Sequence, residues 1–449
     1  MSSRVCVIDM PGLSRDLLSA IPANSTLGQW IASQRIAALT PCFPAVTCPM
    51  QATLTTGKSP AQHGIIANGL PNWRFPQDQR LVDHDAHVEY RKKISFWEQS
   101  NQFLDAPRFW QDSSGRSRYK TALLFFQNSM PGFVDPRRPA ADIVLTPKPD
   151  HGPDGKLTSL IWSDPPELNA ELTADLGPFP LMNYWGPMAG IASSQWIAKA
   201  AARVWNKHAP ALQFTYIPHL DYDLQRFGPN SPAAIKAVAD AAAALTPLVA
   251  AVLASGGKLV LLSEYAMQPV TAAVSPNRLL ADAGLFLTRA TPDGHRIDFE
   301  KSAAVAMVDH QVAYIYARDE AARENARGVL QKNELLTVAD PAKLAVNHRR
   351  GGDLVVISAP HAWLDYRWWT NPADAPAFAR TVDIHRKPGY DPLELFWDRA
   401  ANGVSQDASL VKGSHGRGGE GEAVLVCDEL AAGNLNATEV AGVIERMLA

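Results

Sequence analysis

Cysteine is scarce: four in 449 residues, at Cys6, Cys42, Cys48 and Cys427, with no C-x-x-C pair among them. That scatter excludes a small-domain disulfide framework. Net charge is scarce as well, −3 from 42 basic and 45 acidic residues. The chain as a whole therefore has no general attraction for nucleic acid polymers or acidic membranes. No apolar run approaches the length of a membrane span. The alanine-rich stretch 233–254 is broken by Lys236, Asp240 and Pro247 and reads as a helix with one buried face. From Met1 the chain runs almost directly into an apolar strand, too soon for a signal peptide, so a cytoplasmic location is expected. Internal repeats and low-complexity tracts are absent too.

What is present is core: 46% of the residues are hydrophobic, enough for one large domain with an insertion, or for two to three smaller ones. Three apolar runs with strand character are each followed by a carboxylate. Asp9 ends the run 5–8, Asp221 follows the run 212–217, and Glu264 follows 258–262. Apolar strands of this kind, separated by helical stretches, predict a parallel sheet buried on both faces, with ligands at the carboxyl ends of its strands. Several carboxylates gathered there need cations or protons to coexist. Thr47 belongs beside them, where a loop turns into a helix that carries Pro49 in its first turn and stops at Gly57. A helix start offers free N–H groups and the positive end of the dipole, so a phosphate would bind next to the Thr47 hydroxyl. The plain alternative is Thr47 as a helix cap.

The order of Asp9, the Thr47 segment through Gly57, the segment 59–65 with Asn68, Asp221 through Pro229, the segment 263–267 and the segment 413–416 carries a resemblance. The chain resembles the type I phosphodiesterase/nucleotide pyrophosphatase branch of the alkaline phosphatase superfamily. The resemblance implies an α/β fold: an alkaline-phosphatase-like core with a mostly parallel central sheet flanked by helices, plus a small α+β cap insertion. The core is expected over 1–267 and 363–449, and the cap over 268–362. Implied too is a metal-dependent hydrolase of phosphate diesters or nucleotide pyrophosphates that works through a phosphorylated Thr47 on a small phosphorylated substrate. Two divalent ions, zinc in the family, would be held by Asp9, Thr47, Asp221, Gln225, Glu264, Tyr265 and His415. One ion, at Asp9, Glu264 and Thr47, would activate the hydroxyl; the other, at Asp221, Gln225 and His415, would balance the leaving oxygen.

This chain departs from the family pattern at several of those positions. Gln225 and Tyr265 stand where the family has histidines, and Glu264 where it has an aspartate. The resulting donor set is hard and oxygen-rich, which suits manganese, magnesium or iron as well as zinc. The family's phosphate-binding asparagine falls on Met50, which leaves Gln51 as the replacement donor. Cys48 is expected to contribute its backbone N–H, with a thiol pKa lowered by the helix start. Further candidate contacts are Asn68 and His219, together with Asp383 and His385 in the proline- and glycine-punctuated loop 381–391. Arg226, Arg386, Lys387 and Arg417 could meet a distal anion. His63 is expected to brace the Thr47 helix, and His361 to pack among Trp363, Tyr366, Trp368 and Trp369, whose rings either join cap to core or stack a planar substrate group. Strands near 121–126, 143–145, 304–308, 313–316 and 353–358 and helices near 191–205 and 319–330 are also expected, with the run 177–187 packed on the core or walling the cleft. A phosphonate hydrolase or phosphomonoesterase on the same core, or a non-catalytic anion-binding relative, are the alternatives.

Overall fold

A computed structural model describes residues 3–75, 93–97, 100–131, 139–151, 157–292, 294–384, 387–419, 423–430 and 433–449. Its centre is a nine-stranded sheet. Seven of the strands come early in the chain: β1 (Val5–Asp9), β2 (Arg35–Thr40), β3 (Thr121–Leu124), β4 (Ile143–His151), β5 (Leu157–Asp164), β6 (Leu212–Tyr216) and β7 (Lys258–Leu262). A separate four-stranded sheet follows, from β8 (Ala304–Asp309), β9 (Val312–Ala317), β10 (Leu336–Ala339) and β11 (Leu354–Ser358). The chain then returns to the large sheet with β12 (Ala423–Cys427) and β13 (Leu435–Asn436).

The large sheet runs β13-β2-β12-β7-β1-β6-β3-β4-β5. From β7 through β4 the pairing is parallel, while β5 turns back on β4 and β12 lies antiparallel between β7 and β2. Every residue of β1, β3, β6 and β12 is buried, as strands covered on both faces require. The covering helices include α1 (Thr47–Thr56), α2 (Ile191–His208), α3 (His219–Phe227), α4 (Pro232–Ala244) and α5 (Thr246–Ala254).

The stretch expected to form one buried-face helix over 233–254 is two helices, bent by 42° at Leu245. Pro247 cannot continue the hydrogen-bond ladder of α4, so it opens α5 instead. The buried face itself is present: Ala234, Ala237, Val238 and Ala241 lie inward at helical spacing. Among the described residues, no single helix is long and apolar enough to cross a membrane.

Strand register sets the site. Asp9 lies opposite Tyr216 on one side and Leu262 on the other, so β1, β6 and β7 end level. The second sheet, in the order β8-β9-β11-β10, is antiparallel throughout. Its first hairpin turns at His310 and Gln311, with His310 in the left-handed region at φ +59°. The Gln311 N–H bonds the His415 carbonyl at 2.9 Å, which docks this hairpin tip on the large sheet's functional edge.

Candidate active site

Asp9 and Glu264 meet at that edge. The segment after β7 is stitched to the end of β1, with the Met10 N–H on Leu262 O at 2.9 Å and the Gly12 N–H on Tyr265 O at 3.1 Å. Gly12 has φ +83°, and a Cβ there would come within 2.7 Å of the Leu224 side chain, so the close approach needs glycine. Both carboxyl groups are wholly buried, and none of their four oxygens accepts a hydrogen bond from a donor group. Burial raises Asp9 to about 8, while burial and then the Asp9 charge push Glu264 well above the carboxylate range. Without a cation, the pair therefore keeps a proton at neutral pH.

Thr47 is the first residue of α1. Val46 holds the cap position with no side-chain bond, so the Thr47 hydroxyl is not a helix cap. It lies 3.4 Å from the Tyr265 hydroxyl. The helix ends at Gly57, with φ +67°. The expectation of a free first turn needs correction: Pro49 has no N–H, and the Cys48 N–H donates to Asn68 Oδ1 at 2.8 Å. Asn68 is locked in turn by Asp309, which accepts its backbone N–H at 2.8 Å and its Nδ2 at 3.1 Å.

The Cys48 thiol is likewise corrected, because it is pushed well up rather than down. Burial is the largest cause, followed by the charges of Asp309 and Glu264, and together they outweigh the helix start. Gln51 accepts the Gln127 N–H at 2.7 Å, while its Nε2 has no partner and stands near Glu264. His63 braces α1 as expected: its Nε2 meets Thr53 Oγ1 at 3.0 Å, and its Nδ1 accepts the Ile65 N–H at 3.1 Å. Burial lowers His63 to about 3, so the ring is neutral.

Asp221 sits in the first turn of α3, one turn before Gln225. Gln225 Nε2 donates to Asp221 Oδ2 at 2.5 Å, and Tyr265 Oη donates to Asp221 Oδ1 at 3.2 Å. Tyr390 Oη donates to Gln225 Oε1 at 2.8 Å. Burial raises Asp221 to about 7 against the pull of the Gln225 and Tyr265 bonds. On the other side, the rings form a column. Tyr265 lies on His415 at 3.5 Å between centroids, His415 on His310 at 3.8 Å, and His310 on Tyr390 at 3.7 Å. The six residues thus close a circuit of bonds and stacked rings. His415 Nδ1–H donates to the Ala45 carbonyl at 2.8 Å, which leaves Nε2 without a partner, 3.9 Å from Asp221 Oδ1. Burial lowers His415 to about 3.

Asp309, His310 and Tyr390 escaped the sequence reading. A signal existed for the first two, since β8 is one more apolar strand that ends on a carboxylate. Tyr390 is placed by pairing with β8: its N–H bonds Val308 O at 3.0 Å. The loop 381–391 therefore reaches the site through Tyr390. Of its other described groups, Lys387 is buried between Asp391 at 2.6 Å and Glu394 at 2.7 Å, and the Asp383 backbone N–H bonds Glu394 at 2.8 Å. His385 and Arg386 lie outside the described residues.

His219 is buried, and neither of its ring nitrogens has a hydrogen-bond partner among the described residues. The charges acting most strongly on His219 are those of Asp223 and Asp240, not the site carboxylates. Arg226 binds the carbonyls of Ala189, Gly186 and Pro187, and Arg417 that of Ser358. His361 is exposed rather than packed, because it lies on a turn before Trp363. Trp363, Tyr366, Trp368 and Trp369 are buried among other core side chains, which excludes them as an open stacking face. The run 177–187 packs inward in part: Phe179 joins Phe125 and Trp196, and Trp185 lies against Tyr390 and Tyr222, while Met182 is exposed.

The two cation positions differ in fit. At Asp9, Glu264 and Thr47, unpartnered and buried carboxylate oxygens match a hard, oxygen-bound divalent ion. At Asp221, Gln225 and His415, both aspartate oxygens and the amide oxygen already accept protein hydrogen bonds, and the fit is poor. Among the described residues, no group of three or more His, Cys, Asp or Glu side chains is arranged to hold a metal ion.

The family model for type I phosphodiesterase/nucleotide pyrophosphatase matches residues 5–391. No curated protein sequence matches the chain. Murine ectonucleotide pyrophosphatase/phosphodiesterase 5 is similar in structure at 14% identity and TM-score 0.60, over 99% of this chain and 95% of that one. The human counterpart is similar at 14% identity and TM-score 0.61, over 99% and 94%. Phosphonoacetate hydrolase from Sinorhizobium meliloti 1021, solved with phosphonoformate, is similar at 16% identity and TM-score 0.60, over 100% and 96%. Identities this low carry the fold, and the α/β architecture with its mostly parallel sheet agrees with the expectation. With a family model spanning most of its length, the chain belongs to the type I phosphodiesterase/nucleotide pyrophosphatase family and is a hydrolase of that kind.

Proposed function

We propose that the chain hydrolyses a small phosphate diester or nucleotide pyrophosphate through a covalent intermediate on Thr47. The observation that carries this is Thr47 at the start of α1, uncommitted to capping, beside the unpartnered carboxyl pair of Asp9 and Glu264. A divalent cation held by Asp9, Glu264 and Thr47 would lower the pKa of the threonine hydroxyl and offset charge on the phosphoryl oxygens. The chain's own groups do the rest. Asn68 and His63 fix the direction of α1, and with it the hydroxyl. Thr47 Oγ1 forms a bond to phosphorus as the ester oxygen leaves, and water then cleaves the phosphothreonine. A wall of half-buried Trp185 with buried Tyr222 and Tyr390 keeps bulk water from competing. The four-stranded unit within 268–362 serves as the cap, with His310 as its contact to the edge.

Two features of related proteins support this reading. A threonine-to-alanine variant of the murine protein is described as inactive and was solved with AMP. The bacterial neighbour was solved with phosphonoacetate and phosphonoformate, which favours phosphonate hydrolysis as the second reading. Assays of wild type and Thr47→Ala with bis-p-nitrophenyl phosphate, p-nitrophenyl phosphate and phosphonoacetate separate them. Diester turnover lost in the variant supports the proposal. Full turnover without Thr47 would sink it, and turnover of phosphonoacetate alone would move the substrate class.

A further inference from the structure

We infer that this chain takes one cation, at Asp9, Glu264 and Thr47, and that the family's second position is filled by protein: Tyr265, Gln225 and Tyr390 bond in a chain through Asp221, with His310 stacked on His415. The inference rests on the reading that Thr47 works beside a cation.

Hydrogen-bond allocation carries it. An amide nitrogen has no lone pair to offer and presents N–H instead. Gln225 turns that N–H onto Asp221 Oδ2 at 2.5 Å, and the Tyr265 phenol supplies a second donor to Oδ1 at 3.2 Å. The carboxylate thus receives from two dipoles what a cation would otherwise supply. The only acceptor on the Gln225 side chain is held by Tyr390 at 2.8 Å, so the amide cannot turn over without leaving a buried group unpaired. His415 Nε2 is the one unpartnered atom left there, where a zinc-type site uses three or four protein ligands. Its ring is clamped between Tyr265 and His310, the latter delivered by a hairpin turn with left-handed backbone. The substitutions therefore come as a set: each group that replaced a ligand has a partner that satisfies it.

The test is metal content by inductively coupled plasma mass spectrometry on the full chain, loaded with excess manganese or zinc and freed of unbound ion. One equivalent is expected for wild type, for Asp221→Asn and for Tyr390→Phe, and none for Asp9→Asn. The Gln225→His/Tyr265→His double variant, which restores imidazoles, is expected to gain a second equivalent. Two equivalents in wild type would overturn the inference. So would loss of metal in Asp221→Asn whose circular dichroism matches wild type, or no metal in wild type under either load. Turnover by Thr47→Ala is read separately: activity there removes the nucleophile assignment and leaves the stoichiometry as measured.

Discussion

Tyr265 and His415 lie face to face, 3.5 Å between ring centroids and 8° between planes, at the carboxyl edge of the central sheet. The tyrosine ring is thereby one layer of a stack, and its hydroxyl is left to bond. Its hydroxyl meets Asp221 and Thr47, which makes one side chain the link between the two halves of the site.

Replacing Thr47 by alanine is expected to lower turnover of bis-p-nitrophenyl phosphate by roughly 10³-fold or more, as loss of a covalent nucleophile does. The hydroxyl caps nothing, so the melting temperature should move little. Steady-state kinetics with a thermal melt on the same sample decides whether the loss is chemical or structural.

The metal-free protein should lose stability as pH rises. Folding raises Asp9 from 3.8 to about 8, and Asp221 and Asp309 each to about 7, because burial penalises their charged forms. The folded state thus holds these protons more tightly. Their contribution is whole below about pH 4 and is lost as pH rises through about 7 to 8. Thermal melts of apo-protein from about pH 5 to about pH 9 should fall, with Asp9→Asn flattening part of the slope. Added manganese replaces protons, so it should raise the melting temperature more at the alkaline end.

Asn68→Ala should destabilise by about 2–4 kcal/mol, since it strips partners from two buried groups at once, the Cys48 N–H and the Asp309 carboxyl. Urea unfolding gives the number. A change under about 0.5 kcal/mol would mean that water satisfies both groups.

Tyr390→Phe should cost about 1–3 kcal/mol, because Gln225 Oε1 is left buried and unpaired. Combining it with Gln225→Met removes both partners. A double-mutant cycle should then show coupling of about 1 kcal/mol or more. Additive effects would argue that the hydroxyl bonds elsewhere.

The thiols should be inert in the native state. Burial pushes Cys42 up to about 12 and Cys427 to about 11, and raises Cys6 and Cys48 well above the ordinary thiol range. Iodoacetamide near pH 8 is expected to label none of the four in native protein and all of them in urea, as read by intact mass. Prompt labelling of Cys48 would show the Thr47 helix start to be open to solvent.

Sequence alone determined the frame of this protein. Apolar runs that end on carboxylates mark Asp9, Asp221 and Glu264, and strand register brings those ends level because side-by-side parallel strands must end on the same edge. The Thr47 helix, with Pro49 inside its start and Gly57 at its stop, follows equally from local backbone preferences. Tertiary structure alone decided how the polar groups there are shared. Gln225 and Tyr390 are 165 residues apart, and Asn68 and Asp309 are 241 apart. Nothing in either neighbourhood announces its partner. His310 looks like any turn residue until its hairpin is docked on His415. A buried donor takes whichever acceptor the packing brings within reach, so the allocation that separates a possible cation site from a self-satisfied one is a property of the folded chain.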